Sequence, residues 1–253
     1  MDKEIIISVK DLVMKYGSFT AVKGISFDVH KGEVFGLLGE NGAGKTSTLE
    51  IIETLRKKTS GQVIVSGYNV DHHQPQIKSI IGVQLQAAGF YPGLRLTEIL
   101  HLFAGLYNVN INPLDFLKDV DLLDKAKSKF SDLSGGQKQR FSIATTLINS
   151  PHIIFLDEPT TGLDPQARRH LWELIRGIKT KGTTIILTTH YMEEAEILCD
   201  RVGIMDEGKI IDLDTPSNLI DKLIQTGFKA EKKIKAANLE DVFLNITGKN
   251  ITD

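Results

Sequence analysis

The stretch Gly39-Glu40-Asn41-Gly42-Ala43-Gly44-Lys45-Thr46-Ser47 constrains this chain more than any other. The apolar run Val34–Leu38 before it reads as a buried strand, and Leu49–Leu55 after it reads as a helix. Strand, glycine-rich turn and helix is the setting in which a G-x-x-x-x-G-K-[ST] match cradles phosphate. Glycines at 39, 42 and 44 let backbone N–H groups converge on an anion with no Cβ in the way. A helix starting near Gly44 adds unpaired donors and the positive end of its dipole. Lys45 then reaches the β- and γ-phosphates, and the Thr46 hydroxyl ligates Mg²⁺. A bare Gly-rich turn is the competing reading, and the flanking strand and helix decide for nucleotide binding.

The chain has 253 residues, enough for one large α/β domain or a core with a smaller lobe. Its 30 basic and 32 acidic residues leave a formal charge of −2, which gives no support to nucleic-acid binding. The only cysteine, Cys199, reads as a small buried residue, and a reducing compartment is the expected home. Met1-Asp2-Lys3-Glu4 is charged, unlike a signal peptide, and no window holds the roughly 18 apolar residues of a membrane span. The expectation is a cytoplasmic protein.

Ile5, Ile7 and Val9 alternate with other residues, as do Ile25, Phe27 and Val29, which predicts short antiparallel strands with one face exposed. Tyr16 lies between them, and either core packing or stacking on a base accounts for it. Gln62–Ser66 returns to strand, His72-His73-Gln74-Pro75 reads as loop surface, and Ile80–Gln86 reads as a strand ending in glutamine. The Gln86 amide can cap a turn, ligate Mg²⁺ or hold a water. From Thr97 to Ile148 helix-like spacing dominates, with Gln137–Leu147 its last helix, which predicts a helical lobe inserted in the core. Before that helix, Ser134 is a good N-cap, and Gly135 and Gly136 leave backbone donors open.

The run Ile153-Ile154-Phe155-Leu156-Asp157-Glu158 is a buried strand whose carboxyl end carries two acids, on the edge where ligands sit in parallel sheets. Asp157 is placed to hold Mg²⁺ and Glu158 to face an attacking water. Solvated acids at a strand end are the bland alternative, less favoured with a phosphate loop upstream. Asp164 caps a helix with Pro165 at its first position. That helix buries Leu171, Leu174, Ile175 and Ile178, with Trp172 on the flank. Thr183–Thr189 is another buried strand, and His190 at its end either caps it or stands at the ligand edge. Val202–Leu213 reads as a closing hairpin and Thr215-Pro216 starts a helix. Lys229–Lys233 reads as a linker, and Leu239, Val242, Phe243, Leu244 and Ile246 as a short terminal helix.

Together the phosphate loop Gly39–Ser47, Gln86, Leu133–Gln137, Ile153–Glu158, Thr161–Asp164 and His190 resemble the ATP-binding subunit of ABC transporters in order and rough spacing. The resemblance implies an α/β fold: a P-loop NTPase core with a mostly parallel sheet, an N-terminal antiparallel β subdomain and an inserted helical lobe. It implies an ATPase domain over residues 1–216, with the lobe at about 87–150 and a short helical tail at 217–253. Residues 39, 41–47, Tyr16 and Gln86 would bind ATP, with Tyr16 stacking on adenine. Thr46, Gln86 and Asp157 would hold Mg²⁺, and Lys45, Glu158 and His190 would be catalytic. Ser134, Gly135, Gly136 and Gln137 would contact the γ-phosphate held by a second subunit, and Asp164 would communicate across that interface.

The expected partners are a second copy or a related ATPase subunit, and a separate transmembrane permease on the inner face of the cell membrane. The tail Asn238–Leu244 looks like the drug- and antibiotic-export branch. The alternative is an ABC ATPase of an assembly system, such as iron–sulfur cluster assembly. Past Gln86, Phe90, Tyr91, Pro92 and Leu94 either dock a partner helix or tuck into the helical lobe.

Overall fold

The computed structural model describes residues 4–84 and 89–228. Gln86, the proposed linker at Lys229–Lys233 and the terminal helix expected beyond it lie outside the described residues. Two long strands open the chain, β1 (Ile5–Tyr16) and β2 (Phe19–His30), followed by β3 (Val34–Leu38) and the helix α1 (Lys45–Ile52). After α1 come β4 (Ser60–Val65), β5 (Tyr68–Asn69), α2 (Gln74–Ile80) and β6 (Ile81–Gln84). Strands β1, β2, β4 and β5 form an antiparallel sheet in the order β2-β1-β4-β5. Strand β1 outruns the stretch marked by Ile5, Ile7 and Val9. Its pairing shifts register between Val9 and Leu12, after which Leu12 and Met14 keep the buried face going.

A helical segment follows: α3 (Leu96–Tyr107), α4 (Pro113–Asp119), two short 3₁₀ turns and α5 (Gly135–Thr146). The chain then returns to the core with β7 (Ile153–Asp157), α6 (Pro165–Thr180), β8 (Thr184–Thr189) and α7 (Met192–Leu198). The hairpin β9 (Arg201–Asp206) and β10 (Lys209–Asp214) and the helix α8 (Pro216–Gln225) complete the described elements. The second sheet has the order β10-β9-β3-β8-β7-β6. Every neighbouring pair in it is parallel except β10 with β9. Strands β3, β7 and β8 are buried along their whole length because helices or the antiparallel sheet cover both faces. Full burial of one such aliphatic side chain contributes about 1.5–3 kcal/mol. The architecture is therefore α/β with an N-terminal antiparallel sheet and a mostly parallel one, as the sequence predicts.

One core cluster packs Ile7, Val9, Phe27 and Val63 of the antiparallel sheet against Leu49 and Ile52 of α1 and Phe35 and Phe155 of the parallel sheet. A second holds Leu171, Trp172 and Ile175 of α6 against Ile154, Leu156, Ile185 and Leu187. A third belongs to the helical segment, with Leu96, Leu100, Leu117 and Phe141 at its centre. Phe90 joins that third cluster, its ring 5.8, 4.8 and 5.5 Å from those of Phe103, Phe130 and Phe141. Of the two readings of this segment, tucking into the lobe holds for Phe90, while Tyr91 stays exposed. The chain divides after Leu219 into Met1–Leu219 and Ile220–Asp253. No described helix is long and apolar enough to cross a membrane.

Candidate nucleotide site

Strand β3 ends at Leu38, and the chain turns through Gly39–Gly44 into α1. Gly39 runs so close to β9 that a Cβ there would sit 2.3 Å from the Met205 carbonyl oxygen. Gly44 caps α1 at φ 100°, and a Cβ there would meet the Ala21 carbonyl oxygen at 2.6 Å. Both positions accept only glycine without moving backbone. From outside, the turn between β9 and β10 clasps the loop. Gly208 N–H donates to the Ala43 carbonyl at 3.1 Å, and the Gly208 carbonyl accepts from Lys23 N–H at 2.8 Å. Lys45, buried at the head of α1, donates through Nζ to the Gly39 and Glu40 carbonyls at 2.7 and 3.0 Å.

The acids arrive from two strands away. In the register, Asp157 of β7 pairs with Thr188 of β8, and Thr189 of β8 pairs with Leu38 of β3. Three carboxyl ends thus meet at one edge, and residues 45, 157 and 190 become neighbours. Thr46 Oγ1 lies 3.4 Å from each Asp157 carboxylate oxygen. Thr188 Oγ1 donates to Asp157 and accepts from Glu158 N–H at 3.0 Å. Glu158 sits in the left-handed region, φ 48°, where the chain breaks from the strand, and this turns its carboxylate back over the loop. Its Oε1 is 3.7 Å from Lys45 Nζ, and its Oε2 is 3.3 Å from His190 Nδ1 and accepts from Thr161 Oγ1 at 3.2 Å. The sequence gives Thr188 no role, since it is one more Thr in a Thr-rich stretch until the strand order is known, and it marks Thr161 only as the start of the stretch that ends at Asp164.

A cleft of about 350 Å³ opens over the loop, lined by Tyr16, Phe19, Asn41, Thr46, Ser47 and Glu158 among others. Tyr16 is 40% exposed, so the core reading of this residue fails. Its hydroxyl is 3.0 Å from Ser47 Oγ, and the Arg56 guanidinium lies 5.2 Å from its ring centre. Phe19, exposed at the same cleft, has no counterpart among the residues singled out from sequence. Behind the loop Glu53 ends α1, almost wholly buried. Burial first, then the nearby Asp157 and Glu50, push its carboxyl from 4.5 up to about 8.

Ser134–Gln137 and Asp164 gather elsewhere. Ser134 and Gln137 cap α5 reciprocally: Ser134 Oγ accepts from Gln137 N–H at 3.4 Å, and Gln137 Oε1 from Ser134 N–H at 3.0 Å. Asp164 caps α6 by accepting from Ala167 N–H at 2.8 Å. A Cβ on Gly136 would stand 2.8 Å from that of Ala167, so the two helix starts touch because residue 136 is glycine. Ser134, Gly136, Gln137 and Asp164 line a second cleft of about 220 Å³ that shares no lining residue with the first. One chain therefore presents two separate groups of the expected site residues.

The family model described as ABC transporter matches residues 22–161. The chain is 39% identical over 223 residues to the Linearmycin resistance ATP-binding protein LnrL of Bacillus subtilis, covering 86% of this chain and 72% of that protein. It is 39% identical over 220 residues to the Nod factor export ATP-binding protein I of Ralstonia nicotianae, covering 85% and 68%. A solved structure of the ATP binding subunit of an ABC transporter superimposes with a TM-score of 0.76 at 28% identity, over 96% of this chain and 99% of that one. A dimeric ATP-binding cassette in a post-hydrolysis state bound to ADP and Pi superimposes at 0.74 and 27% identity, over 83% and 98%. With these matches laid over a phosphate loop and two strand-end acids, the chain belongs to the ABC transporter family as an ATP-binding, ATP-hydrolysing subunit.

Proposed function

We propose that this subunit hydrolyses ATP between two cassettes and thereby drives a separate transmembrane permease that exports drug-like or lipophilic solutes. The carrying observation is the convergence of Lys45, Thr46, Asp157, Glu158 and His190, each within 3.7 Å of another member, at neighbouring strand ends. In this reading the backbone of residues 39–47 and Lys45 hold the phosphates, and Tyr16 stacks on adenine across the cleft. Glu158, steadied by Thr161 and His190, accepts the proton of the attacking water, and His190 contacts the γ-phosphate. Thr46 and Asp157 are hard oxygen donors that suit Mg²⁺, which takes few protein oxygens and completes its shell with water and phosphate. The ion, when bound, supplies positive charge against the phosphate oxygens. Gln86 is assigned a share of that ligand set.

Ser134, Gly135, Gly136 and Gln137 have no place in their own chain's cleft, which supports assigning them to the nucleotide of a second copy or of a related ATPase subunit, with Asp164 beside the joint. ATP contacts made by both subunits favour the closed dimer, and hydrolysis removes them. The cassette domain is taken as residues 1–216, with the lobe at about 87–150 and a tail from 217. The relatives are named for resistance and export, which favours transport over the assembly-system alternative; in this reading the protein works at the inner membrane face beside its permease.

Glu158→Gln tests the reading. The amide keeps the shape but cannot accept the proton, so turnover is expected to fall by about a hundredfold or more while ATP binding persists. Gel filtration with ATP and Mg²⁺ is expected to trap the dimer. ATPase activity at the wild-type rate removes Glu158 from the mechanism.

A further inference from the structure

Next to the nucleotide residues the protein buries a carboxyl group to which none of the roles above applies. Glu194 lies on α7 and is fully buried. Its Oε1 accepts from the Trp172 indole N–H of α6 at 3.2 Å. The hydroxyls of Thr189 and Thr160 face the same carboxyl, and the Arg168 guanidinium lies near enough to favour its charge. Burial pushes this carboxyl up, and the Thr189, Thr160 and Trp172 donors, followed by Arg168, pull it part of the way back. A residue needed only for packing at this place would be apolar, since burying a carboxyl costs free energy even when it is bonded.

What the carboxyl touches explains its presence. Thr189 is the last residue of β8, and its Oγ1 accepts from Tyr191 N–H at 2.9 Å, closing the turn that carries His190. The Tyr191 ring lies 4.2 Å from that of His190 and 4.7 Å from the Arg168 guanidinium carbon. Thr160, also fully buried, stands in the turn that leaves Glu158. Glu194 thus faces both the segment carrying the proton acceptor and the segment carrying the histidine.

We propose that Glu194 is a positioning residue for hydrolysis, which ties the exits of β7 and β8 to Trp172 so that Glu158 and His190 keep their 3.3 Å approach. The proposal rests on the roles given to Glu158 and His190 above. The test measures kcat, KM and nucleotide Kd in the full chain for Glu194→Ala, Glu194→Gln, His190→Ala and the double variant Glu194→Ala with His190→Ala. Glu194→Ala is expected to lower kcat about tenfold or more with Kd within about twofold, because misplaced groups lose rate before affinity. Glu194→Gln is expected to recover to within about threefold of wild type, since an amide oxygen can still accept from the indole and the amide keeps a polar group facing both hydroxyls.

The double variant is expected to be no slower than His190→Ala alone, as residues acting through one another are not additive. A folded Glu194→Ala at the wild-type kcat overturns the proposal, as does a double variant whose losses multiply. If Glu194→Ala does not fold, Thr160→Val carries the test. It keeps the shape and loses the hydroxyl, and its kcat must fall without adding to His190→Ala, or the proposal fails. A slow His190→Ala beside a normal Glu194→Ala refutes this proposal alone. His190→Ala at the wild-type rate refutes the role of His190 and the proposal with it.

Discussion

Tyr16 ends β1 with its ring in the cleft, its hydroxyl against Ser47 and a guanidinium over its face. Stacking of a base on such a ring is worth about 1–3 kcal/mol and tolerates any base. Tyr16→Ala is therefore expected to weaken ATP and GTP alike by about tenfold, measured by titration with fluorescent analogues, and an unchanged Kd would detach Tyr16 from the nucleotide. From sequence the residue is ambiguous because β1 shifts register between Met14 and Lys15, so alternation does not say which way residue 16 faces. Glu53 shows a different blindness. An acid at the end of an amphipathic helix reads as solvent-facing, yet it is buried beside Asp157 with its pKa raised to about 8. The folded chain keeps a proton that the unfolded chain releases above 4.5, so this group's contribution is fully present below about pH 4.5 and is lost as pH rises to about 8. Glu53→Gln is expected to be more stable than wild type by an amount that grows from pH 5 to pH 8, reaching on the order of 2–4 kcal/mol. Melting curves at the two pH values check it, and a gap that does not widen would refute it.

Helix caps were legible because they are local chemistry. Ser134 with Gln137, and Asp164 with Pro165, start α5 and α6 where the residue types demand. Helices α2 and α7 were not. The described contacts give α2 no side-chain cap, and of its seven residues only Ile77 is buried, too little to show a helical stripe. Helix α7 likewise lacks a side-chain cap, and a buried glutamate interrupts its apolar face. The cap at Ser134 also shapes what substitution there does. Ser134→Ala loses one cap bond and is expected to cost about 1 kcal/mol of stability. Ser134→Arg keeps the fold and fills the second cleft with a long cation. Isolated cassettes carrying it are expected to bind ATP as wild type does but to stay monomeric on gel filtration with ATP and Mg²⁺. An equal loss of ATP affinity in the dilute monomer would place Ser134 in its own chain's site.

For the whole molecule, each expected motif was readable as a strand end, a turn or a cap, but the strand order that assembles them was not. Nothing in residues 34–38, 153–157 and 184–189 says that β8 runs between β3 and β7, yet that order alone brings His190 to Glu158. The helical lobe was legible by spacing, whereas Phe90's place inside it depended on Phe130 and Phe141, forty and more residues onward. The order also has a consequence for how the protein is made. Strand β3 has only late neighbours, β8 and β9, and the loop beyond it is clasped by Gly208. As the chain leaves the ribosome, its phosphate loop emerges and then waits for β8, which starts at Thr184, and β9, which starts at Arg201, before either flank exists. Cellular ATP cannot template the part made before them. Nascent chains stalled after Thr180 are expected to pass through an ATP resin, and those extended beyond the β9–β10 hairpin to be retained, so the ability to bind fuel appears only once that hairpin has been made.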